Sequence, residues 1–291
     1  MTPTNRPITS REYKLMLNTE RFRDRGAGSR LFWQMLVFLV QNQGNAVIPD
    51  ASDTDKDTQK RRTTWYLDTP GYELQRANIT LRVREEPDAK KRFKVTLKFR
   101  APDRYTAAGC DVSCTQEVDA DDVKFEEDVV PPFASKFGYS VSFKAKELPP
   151  LATVDDLEAL FPGLNGYGIA PATPITLVNG FQAHEIMHYI GKLKLGKMPA
   201  VRGAAGLPDF VVKVALSHWY LRNDENDYPL VTEFSFSCDA VSQDGGDADR
   251  LEKFPHTVIA GANRLFRDVQ NQAGWLAQFG STKTAYVFEV L

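Results

Sequence analysis

Strict alternation of apolar and polar residues, recurring in segment after segment, limits what this chain can fold into more than any other feature. Near the start, Tyr13, Leu15 and Leu17 fall on one side while Ser10, Glu12 and Lys14 fall on the other. Ile79, Leu81 and Val83 alternate with Thr80, Arg82 and Arg84, and Phe93, Val95, Leu97 and Phe99 with Lys94, Thr96, Lys98 and Arg100. Phe137, Tyr139, Val141 and Phe143 stand against Ser140, Ser142, Lys144 and Lys146. The pattern returns with Lys192 and Lys194 around Leu193, from Phe210 to Ser217, and from Glu233 to Ser237. Period two marks a strand with one face on an apolar core and the other on something polar. Seven such segments separated by turns predict an antiparallel sandwich or barrel, not a parallel α/β sheet.

Helical patterns fill the gaps. Ser29 to Gln43 predicts a helix capped by Ser29, and Thr153 with Asp155 and Asp156 opens a short one that stops before Pro162. The longest helical pattern lies in 247–279, where Leu251, Val258, Ile259, Ala262, Leu265, Phe266 and Val269 are available for packing. The polar stretch 45–62 reads as a loop. One domain spanning 1–291 is expected, with 149–180 as an insertion.

A net charge of −2 and a pI near 6.1 give no general positive field for nucleic acid, so an anion site has to be built locally. Cys110, Cys114 and Cys238 are odd in number and lack Cys-x-x-Cys spacing, which fits a reducing compartment. The amino terminus has no signal-like apolar run. Leu31 to Val40, broken by Gln34, is about half the ~20 residues of a membrane helix. A soluble, cytoplasmic protein with no membrane or nucleic-acid partner is expected.

The polar strand faces have two readings. One is the solvated side of a sheet. The other is a closed barrel in which Arg82 and Arg84, Lys94 and Lys98, and Lys192 and Lys194 converge on a lumen with Glu12, Glu117 and Glu233. Such a lumen suits a polyanion carrying a divalent cation, because Arg and Lys grip phosphate oxygens while carboxylates hold the metal.

The segment Tyr66-Leu67-Asp68-Thr69-Pro70, continuing through Gly71 to Leu81-Arg82-Val83-Arg84, resembles the CYTH, or triphosphate tunnel metalloenzyme, family. Its Tyr-x-Asp-Thr-Pro turn is followed there by a Leu-Arg-x-Arg strand. Val95-Thr96-Leu97-Lys98, Glu12-x-Lys14, the acidic strand at Glu233 and the closing Ser281-Thr282-Lys283-Thr284 are similar to later and earlier parts of the same pattern. The resemblance implies an α+β protein built on a closed antiparallel eight-stranded β-barrel with helices outside. It implies metal-dependent hydrolysis of inorganic tripolyphosphate, a nucleoside triphosphate or thiamine triphosphate in a basic tunnel, with adenylate cyclisation also within the family. Lys14, Arg82, Arg84, Lys98, Lys192 and Lys194 would bind phosphate. Glu12 and Glu233 would hold Mg²⁺ or Mn²⁺, and Lys14, Glu12 and Glu233 would be the catalytic set.

Two positions depart from the pattern: Ser10 stands where the first signature carboxylate belongs, and Ser235 follows Glu233 where a second is usual. Glu117 and Asp119 are the candidates to replace them. A polyphosphate- or nucleotide-binding protein with a degraded metal site is the alternative. His184-Glu185-Ile186-Met187-His188 offers a third reading, a zinc peptidase, which requires a helix. Cys110 and Cys114 read as semi-buried residues, the four tryptophans as core or wall, and Asp68 and Thr69 equally as a cap on the turn before Pro70.

Overall fold

The computed structural model describes residues 6–42, 47–48, 59–197, 209–221, 229–240, 254–278 and 282–290. Ten strands share one sheet: β1 (Ser10–Leu17), β2 (Val47–Ile48), β3 (Gln59–Asp68), β4 (Ile79–Glu85), β5 (Phe93–Ala101), β6 (Val123–Val130), β7 (Ala134–Ala145), β8 (Thr176–Lys197), β9 (Asp209–Tyr220) and β10 (Val231–Asp239). Their order is β8-β3-β4-β5-β7-β6-β1-β10-β9, and β9 pairs back onto β8. Nine strands therefore close into a ring, with β2 attached to β8. That is one more than the eight expected. A closed ring of nine cannot be antiparallel throughout, and the odd junction is β1 with β6, which run parallel.

Every alternating segment of the sequence is a strand. The other two strands of the ring, β3 and β6, are polar on both faces over part of their length, which hides the alternation. In β6 the outward Glu127 interrupts Phe125 and Val129; it is held by Arg11 at 2.6 Å and Ser135 at 2.5 Å. In β3 the run Gln59 to Arg62, expected in a loop, is already paired with β8. The rest of that expected loop, apart from β2, lies outside the described residues.

The ring is apolar outside and polar inside. Tyr13, Leu15, Val214, Leu216, Phe234 and Phe236 pack beneath helices α1 (Arg25–Asn42) and α5 (His256–Gln270). On α5, Val258, Ala262, Leu265, Phe266 and Val269 follow the i, i+4, i+7 spacing of a single stripe. A second core surrounds Leu81, Val83, Val95, Leu97, Phe125 and Val141. It includes Leu74 of α2 (Glu73–Arg76), Ala107 of α3 (Arg104–Ala108), and Val154 and Leu157 of α4 (Val154–Leu160). Each large side chain buried this way contributes about 1.5–3 kcal/mol, so the wall is held from outside and its inner face is released for polar groups.

Helix α4 begins as expected, with Thr153 and Asp156 forming a reciprocal capping box. It lies in the 149–180 stretch, whose last residues from Thr176 onward belong to β8. Helix α1 starts four residues before Ser29. The Asp24 side chain accepts the Ala27 N–H at 2.9 Å and acts as the cap, while Ser29 is buried within the helix. Gly26 and Gly28 weaken helix propensity locally, but Gly28 packs where a Cβ would overlap the Arg21 carbonyl oxygen and Phe22. Tertiary contact outweighs propensity here. Helix α5 occupies the middle of the 247–279 pattern, and Leu251 lies outside the described residues. Among the described residues no helix is long and apolar enough to cross a membrane.

The carboxyl-terminal segment packs across one end of the ring. Helix α6 (Lys283–Ala285) continues into a wide turn, Tyr286–Val290. Val287 is buried there with Met16, Tyr66, Val178 and Trp219, and the Asn179 amide donates to the Val287 carbonyl at 2.7 Å.

Candidate functional site: a basic lumen

Alternate residues of the ring meet inside it. Glu12 and Lys14 of β1, Arg82 and Arg84 of β4, Lys98 of β5 and Glu233 of β10 all line one cavity of about 250 Å³. Nine basic side chains line it against four acidic ones, with two further carboxylates, Asp128 and Glu185, paired to those cations, in a chain whose formal net charge is −2. The positive charge that composition denies to the whole surface is thus concentrated inside. Lys14, Arg82, Arg84 and Lys98, expected to share a cavity, do so.

Other expected site residues lie elsewhere. Glu117 is in the connection before β6, with its side chain 90% exposed and 3.9 Å from Lys91. It does not replace a lumen carboxylate, and neither does Asp119, whose exposed side chain meets Lys144 at 3.3 Å. Lys192 and Lys194 sit beyond a bulge in β8 at Tyr189–Gly191, paired in register with Lys213 and Val211. That irregularity carries them past the stretch of β8 that contributes Met187 to the cavity.

The carboxylates inside come mostly from residues that alternation does not single out, and they form two groups. In the first, Asp128 accepts from Lys14 at 2.8 Å and lies 3.5 Å from both Lys98 and Arg100, while Glu126 accepts from Lys98 at 3.0 Å. Burial alone would raise both carboxyls, but the ammonium groups outweigh it. Glu126 is brought down to about 2, chiefly by Lys98, and Asp128 is held far below the carboxylate range by Lys14, Lys98 and Arg100. Glu12 joins through Lys14 at 2.8 Å. It is the register partner of Asp128 on the neighbouring strand, as Ser10 is of Glu126. The Ser10 hydroxyl donates to Glu126 at 3.2 Å, so the position that departs from the family pattern faces a carboxylate supplied by β6.

The second group surrounds Glu185. Arg62 at 2.5 Å, Thr64 at 3.0 Å, Ser217 at 2.5 Å and Lys283 at 2.9 Å all donate to its oxygens. Burial would push this carboxyl up, but Arg62, Lys283 and Arg84 hold it well below its usual range. Lys283 enters from α6 and also contacts Glu233 at 3.1 Å. Glu233 faces Met16 across β1 and β10, whereas Glu12 faces Ser237. The two glutamates are four register positions apart, about 13 Å along the strands, and so belong to different groups.

Three guanidinium groups among the cavity's lining residues have hydrogen-bonding capacity to spare. Arg62 Nη2, Arg82 Nε and Arg84 Nε are buried and make no hydrogen bond among the described residues. Burial, followed by repulsion from Arg62 and Arg82, lowers the Arg84 guanidinium to about 9. Buried donors are normally paired, and the three residues that carry these unsatisfied ones all line the same cavity.

Among solved structures, the likeness is to adenylate cyclase candidates. One from Bacillus halodurans is 11% identical over 97% of this chain and 98% of its own, with a TM-score of 0.40. One from Hippeastrum, described as having a dominant triphosphatase activity, is 12% identical over 97% and 96%, with a TM-score of 0.43. A third, from Vibrio parahaemolyticus, is 10% identical over 93% and 91%, with a TM-score of 0.31. No protein-family model and no curated protein matches the sequence. At these scores the likeness adds no weight to the fold, which stands on the strand registers themselves.

The His184 to His188 motif is in strand β8, not a helix. Glu185 points into the lumen, while the flanking residues fall on the opposite face, Ile186 among them, in register with the buried His218. A helical zinc site with glutamate as base is therefore not formed. Among the described residues no three His, Cys, Asp or Glu side chains gather as a metal cluster. Asp68 and Thr69 are caps: Asp68 accepts the Thr69, Leu74 and Gln75 N–H groups at 2.7, 3.0 and 3.0 Å, and Thr69 accepts that of Glu73 at 2.9 Å. Cys110 is half-buried with its thiol 3.2 Å from the Tyr167 hydroxyl.

Proposed function

We propose that the lumen binds a triphosphate and hydrolyses it with Mg²⁺ or Mn²⁺. The observation that carries this is the set of buried, unsatisfied guanidinium nitrogens on Arg62, Arg82 and Arg84, three of the nine basic residues that line the cavity. The sequence resemblance to triphosphate tunnel metalloenzymes points the same way.

Arg82 and Arg84 would hold one end of the phosphate chain. Lys14 and Lys98, which now pair with Asp128 and Glu126, would turn to phosphate oxygens as substrate enters. Phosphoryl transfer depends chiefly on positioning and charge stabilisation, and a ring packed from outside with charged groups inside would supply both. A divalent ion accompanying the phosphates needs only one or two protein carboxylates. Glu12 and Asp128, in register on adjacent strands, fit that requirement better than Glu12 with Glu233. Bound there, the ion would neutralise charge on the phosphate oxygens. Glu233 would instead position Lys283.

One observation favours a binding protein without turnover: the lumen carboxylates are already engaged by Lys or Arg. Calorimetry with tripolyphosphate, followed by phosphate release with Mg²⁺, Mn²⁺ or a chelator, separates the cases. Metal-dependent release that is lost in Glu12→Gln supports hydrolysis, and tight binding without release supports the second reading. Absence of binding, or binding unaffected by Arg82→Ala, overturns both. Loss of one charge-assisted contact should weaken affinity by roughly 10- to 100-fold.

A further inference from the structure

A second cavity, of about 220 Å³, lies beside the lumen. Arg100, Thr282 and Thr284 line both spaces, which places the two side by side. The side cavity lies between the start of β4 and the carboxyl-terminal turn, with Gln75, Asn78 and Thr80 on one wall and Phe288 on the other. Its charge differs from that of the lumen. Arg100 and Lys136 are matched by Asp128 and Glu289, so nothing there draws a polyanion further. Its distinctive groups are two side-chain amides, each able to donate and accept, and an aromatic ring standing edge-on to Tyr66 at 6.0 Å and Tyr72 at 6.1 Å. Pockets for drug-sized ligands occupy about 300–1,000 Å³, so this one has room for a single ring system.

We propose that the side cavity holds the uncharged heterocyclic end of a nucleoside-type triphosphate whose phosphates lie in the lumen. The proposal rests on the lumen being a triphosphate site, and it names which triphosphates that site selects. Phosphates and heterocycle separate because a strongly basic space adjoins a nearly neutral one through shared residues. Gln75 and Asn78 would read the hydrogen-bonding edge of the ring, and Phe288 would supply an apolar wall.

The test compares equilibrium binding of a non-hydrolysable nucleoside triphosphate and of inorganic tripolyphosphate to wild type, Gln75→Ala and Gln75→Trp. Gln75 is exposed, and its backbone N–H, which caps onto Asp68, is unchanged by either substitution. Gln75→Ala should weaken the nucleotide about three- to tenfold, the loss of one ordinary hydrogen bond. Gln75→Trp, which fills the cavity, should weaken it further, and both should leave tripolyphosphate unchanged. If both ligands bind and neither variant alters their affinity ratio, the side cavity is not a ligand site while the lumen reading stands. If tripolyphosphate does not bind wild type, the lumen reading itself fails and this inference fails with it.

Discussion

Gly138 makes room for Lys98. The glycine lies on β7, paired with Arg100 on β5 and Glu126 on β6. A Cβ built on it would overlap the end of the Lys98 side chain, with Nζ only 2.8 Å away. The space a methyl group would take is the path by which Lys98 crosses to Glu126 and Asp128. Gly138→Ala should therefore displace a flexible side-chain end while sparing the backbone. The melting temperature should change little, while tripolyphosphate affinity falls at least fivefold, toward the loss of one charged contact. Unchanged affinity measured by calorimetry would show that Lys98 does not contact phosphate.

Arg84 is held among like charges. Burial and the neighbouring Arg62 and Arg82 disfavour its charged form, so without ligand it destabilises the fold that it equips for binding. Arg84→Met should raise the urea midpoint and weaken tripolyphosphate binding at the same time. A variant that loses stability would mean that Arg84 is paired more favourably than its contacts indicate.

Acid should destabilise the protein through His218 before the lumen carboxylates titrate. Burial, with Arg25 and His188 adding repulsion, lowers this imidazole from 6.5 to about 3 in the folded chain, while Thr232 bonds its Nδ1 at 3.1 Å. The unfolded chain takes up the proton first. Stability is therefore complete above pH 6.5 and declines as pH falls toward 3, by up to about 1.4 kcal/mol per pH unit for one proton. His188, also lowered by burial and Arg25, adds to the slope. Glu126, brought down from 4.5 to about 2, loses its contribution only as pH falls below 4.5. Urea titrations between pH 7 and 5 should show this decline in wild type and a flatter profile in His218→Phe. Identical slopes would remove His218 from the account.

Metal dependence should appear at Ser10, not at the histidines. Chelation of the ligand-free protein should leave its melting temperature unchanged, and metal analysis should find no stoichiometric zinc, because the His184 to His188 segment is a strand that turns Glu185 to the lumen. Ser10→Glu places a new carboxylate opposite Glu126 in register. It should lower the melting temperature in chelator, and Mg²⁺ or Mn²⁺ should restore it more than either ion affects wild type. Equal metal responses in the two proteins would place the ion elsewhere.

The sequence by itself determined the wall of this protein. Period-two alternation in β1, β4, β5, β7, β9 and β10 assigns each residue to one of two faces, and strand geometry allows no third choice. Lys14, Arg82, Arg84 and Lys98 were legible for that reason. Alternation says nothing where both faces are polar, so β3 and β6 were hidden, and with them Arg62, Glu126 and Asp128. Glu185 was obscured differently: its flanking histidines invite a helical period, and only pairing with β3 and β9 fixes the strand. The tertiary structure alone decided which carboxylates meet which cations, because partners such as Lys14 and Asp128, 114 residues apart, are brought together by ring closure and the parallel β1–β6 junction. It also decided that Lys283, near the end of the chain, reaches Glu185 and Glu233 in the lumen. No local pattern encodes that contact, since it depends on the final turn packing across the end of a ring that forms from the rest of the chain.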